Sequence, residues 1–326
     1  MVFALFNMRA YEADNLKTLC YGWVGAYMIA GGVAVWELVT ANHLENIFME
    51  QAKLHNIPGF MTISFFSNPN NYGAFILLSA PFIWCAWRSA KGKVAQIFFL
   101  ALMITIPFFL TTSGSRIAIA GVVAQALVTL LMQKRNKIKG IALLALAIMV
   151  LIASIYIVAE QKGMNAIKYY QFADKVLEDP SFVTRIDLSV TGLLMLRDSW
   201  GMGCGAGSFE SVAQSSRYSH LLSGLYVSHN FLIEVLSEYG IIIFGFFIYW
   251  FIGLFYEAHL AQQRLTDNVT LPENIFPKVL IIALTGYLFA SLCHSSYMQE
   301  TTNWTFLGTV NVIGAHLYDL RCKEST

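Results

Sequence analysis

The sequence predicts an all-α, polytopic membrane protein, and three observations predict it. Hydrophobic residues make up 56% of the 326 and charged residues only 13%, where soluble domains carry about 25% charged residues. Several apolar runs reach the ~20 residues that an α-helix needs to cross a bilayer. No run shows the alternating pattern of a membrane strand, and lipid satisfies no open backbone groups, so the spans are read as helices. The net charge of +1 argues against a nucleic-acid partner.

About eight spans follow, at roughly 19–39, 72–88, 95–112, 116–132, 139–159, 229–256, 277–293 and 303–320. They divide the chain into N-terminal spans (1–158), one large polar loop with short helices (159–228) and C-terminal spans (229–326). With the N-terminus inside, the short inner connections hold 13 Lys and Arg, against Lys53 and Arg116 on the outer side. The positive-inside rule then puts both termini in the cytoplasm, and the large loop crosses regardless of its charge. Cys20, Cys85, Cys204, Cys293 and Cys322 show no disulfide framework and no zinc spacing. Met1 to Met8 is apolar but too short for a signal peptide and reads as the tail of a span. No internal repeat of the transporter kind is visible.

Four places carry candidate chemistry. The first is Thr111–Arg116 between the third and fourth spans. Ser113 or Ser115 is expected to cap the next helix through its hydroxyl. Arg116 then stands in the first turn, where the helix dipole is already positive. An anion between them relieves that conflict; an arginine reaching lipid headgroups is the alternative. The second is Arg185, followed by an amphipathic-to-apolar stretch, Leu188–Leu196, read as a helix against the membrane domain. Asp187 or Asp198 is its expected ion-pair partner.

The third place is Gly201-Met202-Gly203-Cys204-Gly205-Ala206-Gly207, whose glycines allow tight turns and close backbone approach. It matches neither the dinucleotide nor the phosphate-loop pattern. The fourth is Ser228-His229-Asn230 at the start of the sixth span, with Glu234 and Glu238 one turn apart beyond it. The positive helix end lowers the imidazole pKa, leaving the neutral form that a general base requires. A carboxylate inside a span costs about 2.5–3.5 kcal/mol, so both glutamates are expected to face protein or water. The second, fourth and sixth spans all run inward, so their N-termini, with Asn68–Asn71, Ser113–Arg116 and Ser228–Asn230, share the outer face. Helix N-termini are ready anion sites, and such a set suits a lipid-borne diphosphate.

At these residues the chain resembles the O-antigen ligase and polymerase superfamily of bacterial envelope glycosyltransferases. The resemblance rests on Ser67-Asn68-Pro69-Asn70-Asn71-Tyr72-Gly73 ahead of Pro81, on Ser113-Gly114-Ser115-Arg116, and on Arg185 ahead of Gly203-x-Gly205. Its last piece is Ser228-His229-Asn230-x-Leu232-x-x-x-Leu236-x-Glu238-x-Gly240. It runs from about Asn68 to Gly245, and more loosely to the C-terminus. Two departures stand out: fewer spans on the N-terminal side, and Trp200 where the family carries proline.

The resemblance implies a multi-pass protein of the bacterial plasma membrane. It would transfer a glycan from an undecaprenyl-pyrophosphate donor to an acceptor hydroxyl on a glycan, a lipid A core or another acceptor, with no metal and no cofactor. Carried over residue by residue, Arg116 and Arg185 bind the pyrophosphate, and His229 activates the acceptor or assists departure. Asn70, Ser115, Gly203, Gly205, Asn230 and Glu238 are expected to bind substrate. Polymerase, ligase and protein O-glycosyltransferase share this framework. A transporter or flippase for lipid-linked sugar and a non-catalytic partner of other polysaccharide assembly proteins are the readings from other classes.

Overall fold

The computed structural model describes residues 13–44, 57, 59–132, 180–222, 224, 226–264, 274–293 and 300–323. Its elements are α1 (Ala13–Thr40), α2 (Pro69–Ser89), α3 (Lys93–Ser113), α4 (Arg116–Leu131), α5 (Pro180–Asp198), α6 (Phe209–Ala213), a 3₁₀ turn (Ser219–Leu221), α7 (Phe231–Arg264), α8 (Phe276–Cys293) and α9 (Thr301–Lys323). Among the described residues there is no strand. Helices stand at seven of the eight stretches read as spans; the stretch 139–159 lies outside the described residues, as does the large loop before Pro180. Among the described residues, four helices are long and apolar enough to cross a membrane: α1, α3, α7 and α8.

The chain forms two compact units. The first takes Met1–Val158, Gly253–Ala290 and Trp304–Thr326, and the second takes Ala159–Ile252 and Ser291–Asn303.

In the first unit α2 packs against α1, α3 and α4. Trp23 of α1 stacks on Phe82 of α2 at 5.0 Å, and its indole N–H donates to Thr309 of α9 at 3.1 Å. Tyr287 of α8 lies parallel to Phe306 of α9 at 5.3 Å. Gln125 of α4 donates from its amide to the carbonyls of Leu77 and Ile282, binding three helices at one point. Gly286 makes room for that amide, since a Cβ there would run into Gln125 Nε2.

The C-terminal turn of α1 is tied down by a buried carboxylate. Glu37 is fully buried and accepts from the backbone N–H of Ile63 (3.0 Å) and Ser64 (2.9 Å), while His43 Nδ1 pairs with it at 3.1 Å. Thr62 joins the same loop to the end of α3 through Thr112, backbone to backbone at 3.1 Å and hydroxyl to hydroxyl at 2.9 Å. Glu37→Ala leaves two buried amides and an imidazole without their acceptor, at about 1–3 kcal/mol each. A fall of several degrees in the apparent Tm of the detergent-solubilised protein is expected. An unchanged Tm would show that the carboxylate is dispensable to the fold.

The second unit is built on α5. Leu188 and Met195 on one face of α5 pack with Phe209, Ala213, Tyr218 and Leu222, and Ile233 of α7 closes the cluster. Gly192 lets α5 lie directly on α7, because a Cβ there would strike Ile233 and press on Phe209.

The sixth predicted span departs from expectation. Gly240 interrupts α7 with φ 80° and ψ 176°. Residues 241–264 alone extend roughly 36 Å, enough for the bilayer core. Their apolar surface begins at once, with Ile241, Ile242, Ile243, Phe246 and Tyr249 all exposed. The nine residues ahead of the break carry Glu234 and Glu238, both buried in protein. Setting them on a separate short helix keeps two carboxylates out of the apolar length of the span.

Candidate functional site

His229 is delivered by a turn that fixes its neighbours on both sides. The Ser228 hydroxyl donates to the Asn230 carbonyl at 3.0 Å. Asn230 Oδ1 accepts from the backbone N–H of Leu232 (3.1 Å) and Ile233 (3.3 Å), capping α7. The cap and the Ser228 bond set where the imidazole stands. Its Nδ1 is buried and makes no hydrogen bond. Burial, and then the nearby Arg185 guanidinium, push its pKa down to about 4. The downward direction expected from the helix end holds, but these two causes produce it. At neutral pH the ring is uncharged and able to accept a proton.

Arg185 reaches the C-terminal turn of α8, where its Nη1 donates to the Leu292 carbonyl at 2.6 Å. A cation is favoured at that end of a helix, and a carbonyl accepts the bond without neutralising the charge. Asp198, one of the two expected partners of Arg185, is committed elsewhere. It takes Arg197 at 3.1 Å, Arg217 at 2.7 Å and the Tyr218 hydroxyl at 2.6 Å. The Tyr218 hydrogen bond, then the Arg197 and Arg217 guanidiniums, hold its carboxyl below the usual carboxylate range.

The glycine loop is locked onto the break in α7. Cys204 N–H donates to the Ser237 carbonyl (2.8 Å), Gly205 N–H to Glu238 (3.0 Å) and Ile241 N–H to Gly201 (2.9 Å). Gly203 has φ 84°, and a Cβ on it would enter the Glu238 carbonyl. The Glu238 side chain accepts from Gly207 N–H (2.8 Å) and Phe209 N–H (3.0 Å), the latter opening α6.

Three residues expected at the substrate therefore have internal work. Glu238 and Asn230 spend their side-chain oxygens on backbone amides, and Gly203 gives its N–H to the Ser199 hydroxyl at 3.1 Å while lying against the Glu238 carbonyl. Gly205 also gives its N–H to this lock, while its α-carbon stays exposed.

Arg116, Ser115 and Asn70 belong to the first unit. There the two predicted motifs meet: a Cβ on Gly73 would come within 2.7 Å of Ser115 Cβ and 3.1 Å of Ser113 Oγ. Asn68 caps α2, accepting from Asn71 N–H at 2.9 Å, with Pro69 opening the helix. Ser115 occupies the N-cap position of α4 but makes no side-chain cap bond, and Ser113 turns back to the Leu110 carbonyl at 2.8 Å. The expected hydroxyl cap is thus corrected. Ser115 is packed too closely on α2 to turn toward the α4 amides. Arg116 is exposed in the first turn of α4, and Asn70 is partly buried in the first turn of α2. Among the described residues no three His, Cys, Asp or Glu side chains gather as a metal site.

Fold and site define a membrane-embedded helical protein that holds a neutral imidazole and a guanidinium together at the head of a span. Residues 98–249 match the protein family described as O-Antigen ligase, the segment that contains Arg116, Arg185 and His229. Over 300 residues the chain is 22% identical to the teichuronic acid biosynthesis protein TuaE of Bacillus subtilis (strain 168). That likeness covers 85% of this chain and 59% of the relative, so the chain spans about three-fifths of the length of the curated protein it matches. The family match agrees with the resemblance read from the sequence motifs.

Proposed function

We propose that the chain is a membrane glycosyltransferase that polymerises or ligates cell-surface polysaccharide from an undecaprenyl-pyrophosphate donor, at a site facing away from the cytoplasm. The observation that carries this reading is the buried imidazole of His229 beside Arg185, within the segment that matches the ligase family. The relative named for teichuronic acid biosynthesis supports an envelope polysaccharide as product.

In the proposed reaction the acceptor hydroxyl oxygen forms a bond to the anomeric carbon. The bond from that carbon to the pyrophosphate oxygen breaks, and the pyrophosphate takes the electron pair. The hydroxyl proton passes to His229. Negative charge grows on the leaving group, so fixed cations stabilise the transition state more than the ground state. Arg185 and Arg116 are the proposed cations, the latter on its own position in the first turn of α4. The bound pyrophosphate also counters Arg185's effect on the ring, raising the imidazole pKa toward the value that makes it an effective base. Asn70, Ser115 and Gly205 are proposed to contact the donor. Asn230, Gly203 and Glu238 act by positioning.

The deciding experiment incubates the purified protein with undecaprenyl-pyrophosphate glycan from its own host. Lengthened lipid-linked chains identify a polymerase, and transfer to lipid A core, wall glycan or protein names the acceptor. Absence of released pyrophosphate carrier with every acceptor rejects the enzyme reading and favours a flippase or a non-catalytic assembly partner.

The pH dependence gives a second check. The His229 pKa is lowered, so the ring stays neutral and competent as pH falls through the ordinary histidine value. Activity from kcat/KM is expected to fall only near pH 4. In Arg185→Gln one of the two depressing causes is gone, so the same limb moves to higher pH while the rate drops. An acid limb near 6.5 in the parent protein would contradict the buried neutral base.

A further inference from the structure

α5 is apolar on two opposite faces. Leu188 and Met195 lie on the buried one. On the other, Val183, Ile186, Val190 and Leu193 recur at steps of three and four, and each is 44–48% exposed. The next step of the row is Arg197, and beyond it come Trp200 and Met202, which are 93% and 70% exposed.

Trp200 closes α5 in the left-handed conformation, φ 55°. Its N–H bonds to Arg197 (3.0 Å) and the Gly201 N–H to Leu196 (2.8 Å), a helix end that usually takes glycine. A non-glycine residue there carries a strain cost. An indole left in water recovers none of it. The same turn is bonded to the first residue of the membrane length of α7, through Ile241 N–H and the Gly201 carbonyl at 2.9 Å. The Trp200 turn thus joins the exposed row on α5 to the exposed isoleucines 241–243. Arg197, one turn beyond Leu193 on the row, and Arg217 are exposed cations, both held on Asp198.

We infer that α5 and the Trp200 turn lie in the boundary layer of the leaflet at the Gly240 end of α7, covered by phospholipid. Acyl chains cover the row from Val183 to Leu193. Trp200 sits at headgroup depth, the level tryptophan favours. Arg197 and Arg217 meet lipid phosphates. Two observations select lipid over a protein partner: the Trp200 turn is bonded to the exposed apolar start of a span, and exposed cations gather on Asp198 at the Trp200 end of the row, the end given to the headgroups. The inference does not depend on the reaction proposed above.

The test uses the full chain in phosphatidylcholine vesicles, with spin labels at Val190→Cys, Leu193→Cys and, as the water-exposed reference, Gln214→Cys. The protein without an added cysteine supplies the blank. All three positions are outside the packed core, so the fold is retained. Oxygen, which dissolves in lipid, is expected to relax the labels at 190 and 193 severalfold more than a water-soluble nickel chelate does, with the order reversed at 214. Chelate access at 190 and 193 equal to that at 214 overturns the inference in favour of water. Protection from both relaxants overturns it in favour of a protein partner.

Discussion

His229→Ala is expected to lower glycan transfer by about 10²–10⁴-fold, the contribution of a positioned acid–base group, while the protein remains inserted and folded. The fold prediction is as specific as the catalytic one. His229 Nδ1 has no hydrogen-bond partner to lose, and the turn around it is held by Ser228 and by the Asn230 cap. Truncation leaves those bonds in place. Measured transfer from the lipid-linked donor, alongside thermal unfolding, separates the two effects. A near-normal rate removes the imidazole from the mechanism. A large loss of stability would mean that it acts by packing.

Gly240→Ala is expected to do the reverse, disabling the protein through its structure. The backbone at Gly240 occupies a region that only glycine enters readily, and an added Cβ would sit 2.5 Å from the Gly201 carbonyl oxygen and 2.6 Å from Met202. Relief requires the loop to leave α7, which breaks the bonds of Cys204, Gly205 and Ile241 together. A cost of about 3 kcal/mol or more is expected. Limited proteolysis between residues 201 and 209 is the measurement: cleavage should rise sharply in Gly240→Ala and stay at the parental level in His229→Ala. Parental protection in Gly240→Ala would show that the lock tolerates a side chain.

Much of this architecture was legible in the apolar runs, because span length is dictated by bilayer thickness and needs no tertiary information. The helix-capping positions were partly legible. Asn68 and Asn230 stand where capping chemistry puts such residues, whereas the Ser113 hydroxyl bonds back to Leu110 and Ser115 makes no side-chain cap bond, which local sequence does not reveal. The shared site expected of Arg116, Arg185 and His229 rested on their order in the chain; of that set, Arg185 acts on the imidazole, adding to burial in lowering its pKa.

What escaped the reading was long-range. Nothing near Glu37 announces that its partners lie at 63 and 64. Gly240 sat inside a stretch read as a single span, and the loop that packs against its break lies some forty positions earlier. Asp198 offered itself to Arg185 by proximity in sequence, but α5 geometry gives it Arg197, Arg217 and Tyr218 instead.

The carboxylate that orders Gly207 and Phe209 belongs to a residue about thirty positions further along the chain. The glycine segment therefore does not carry its own shape: two of its amides find their acceptor only once the short helix that bears Glu238 has docked beside it.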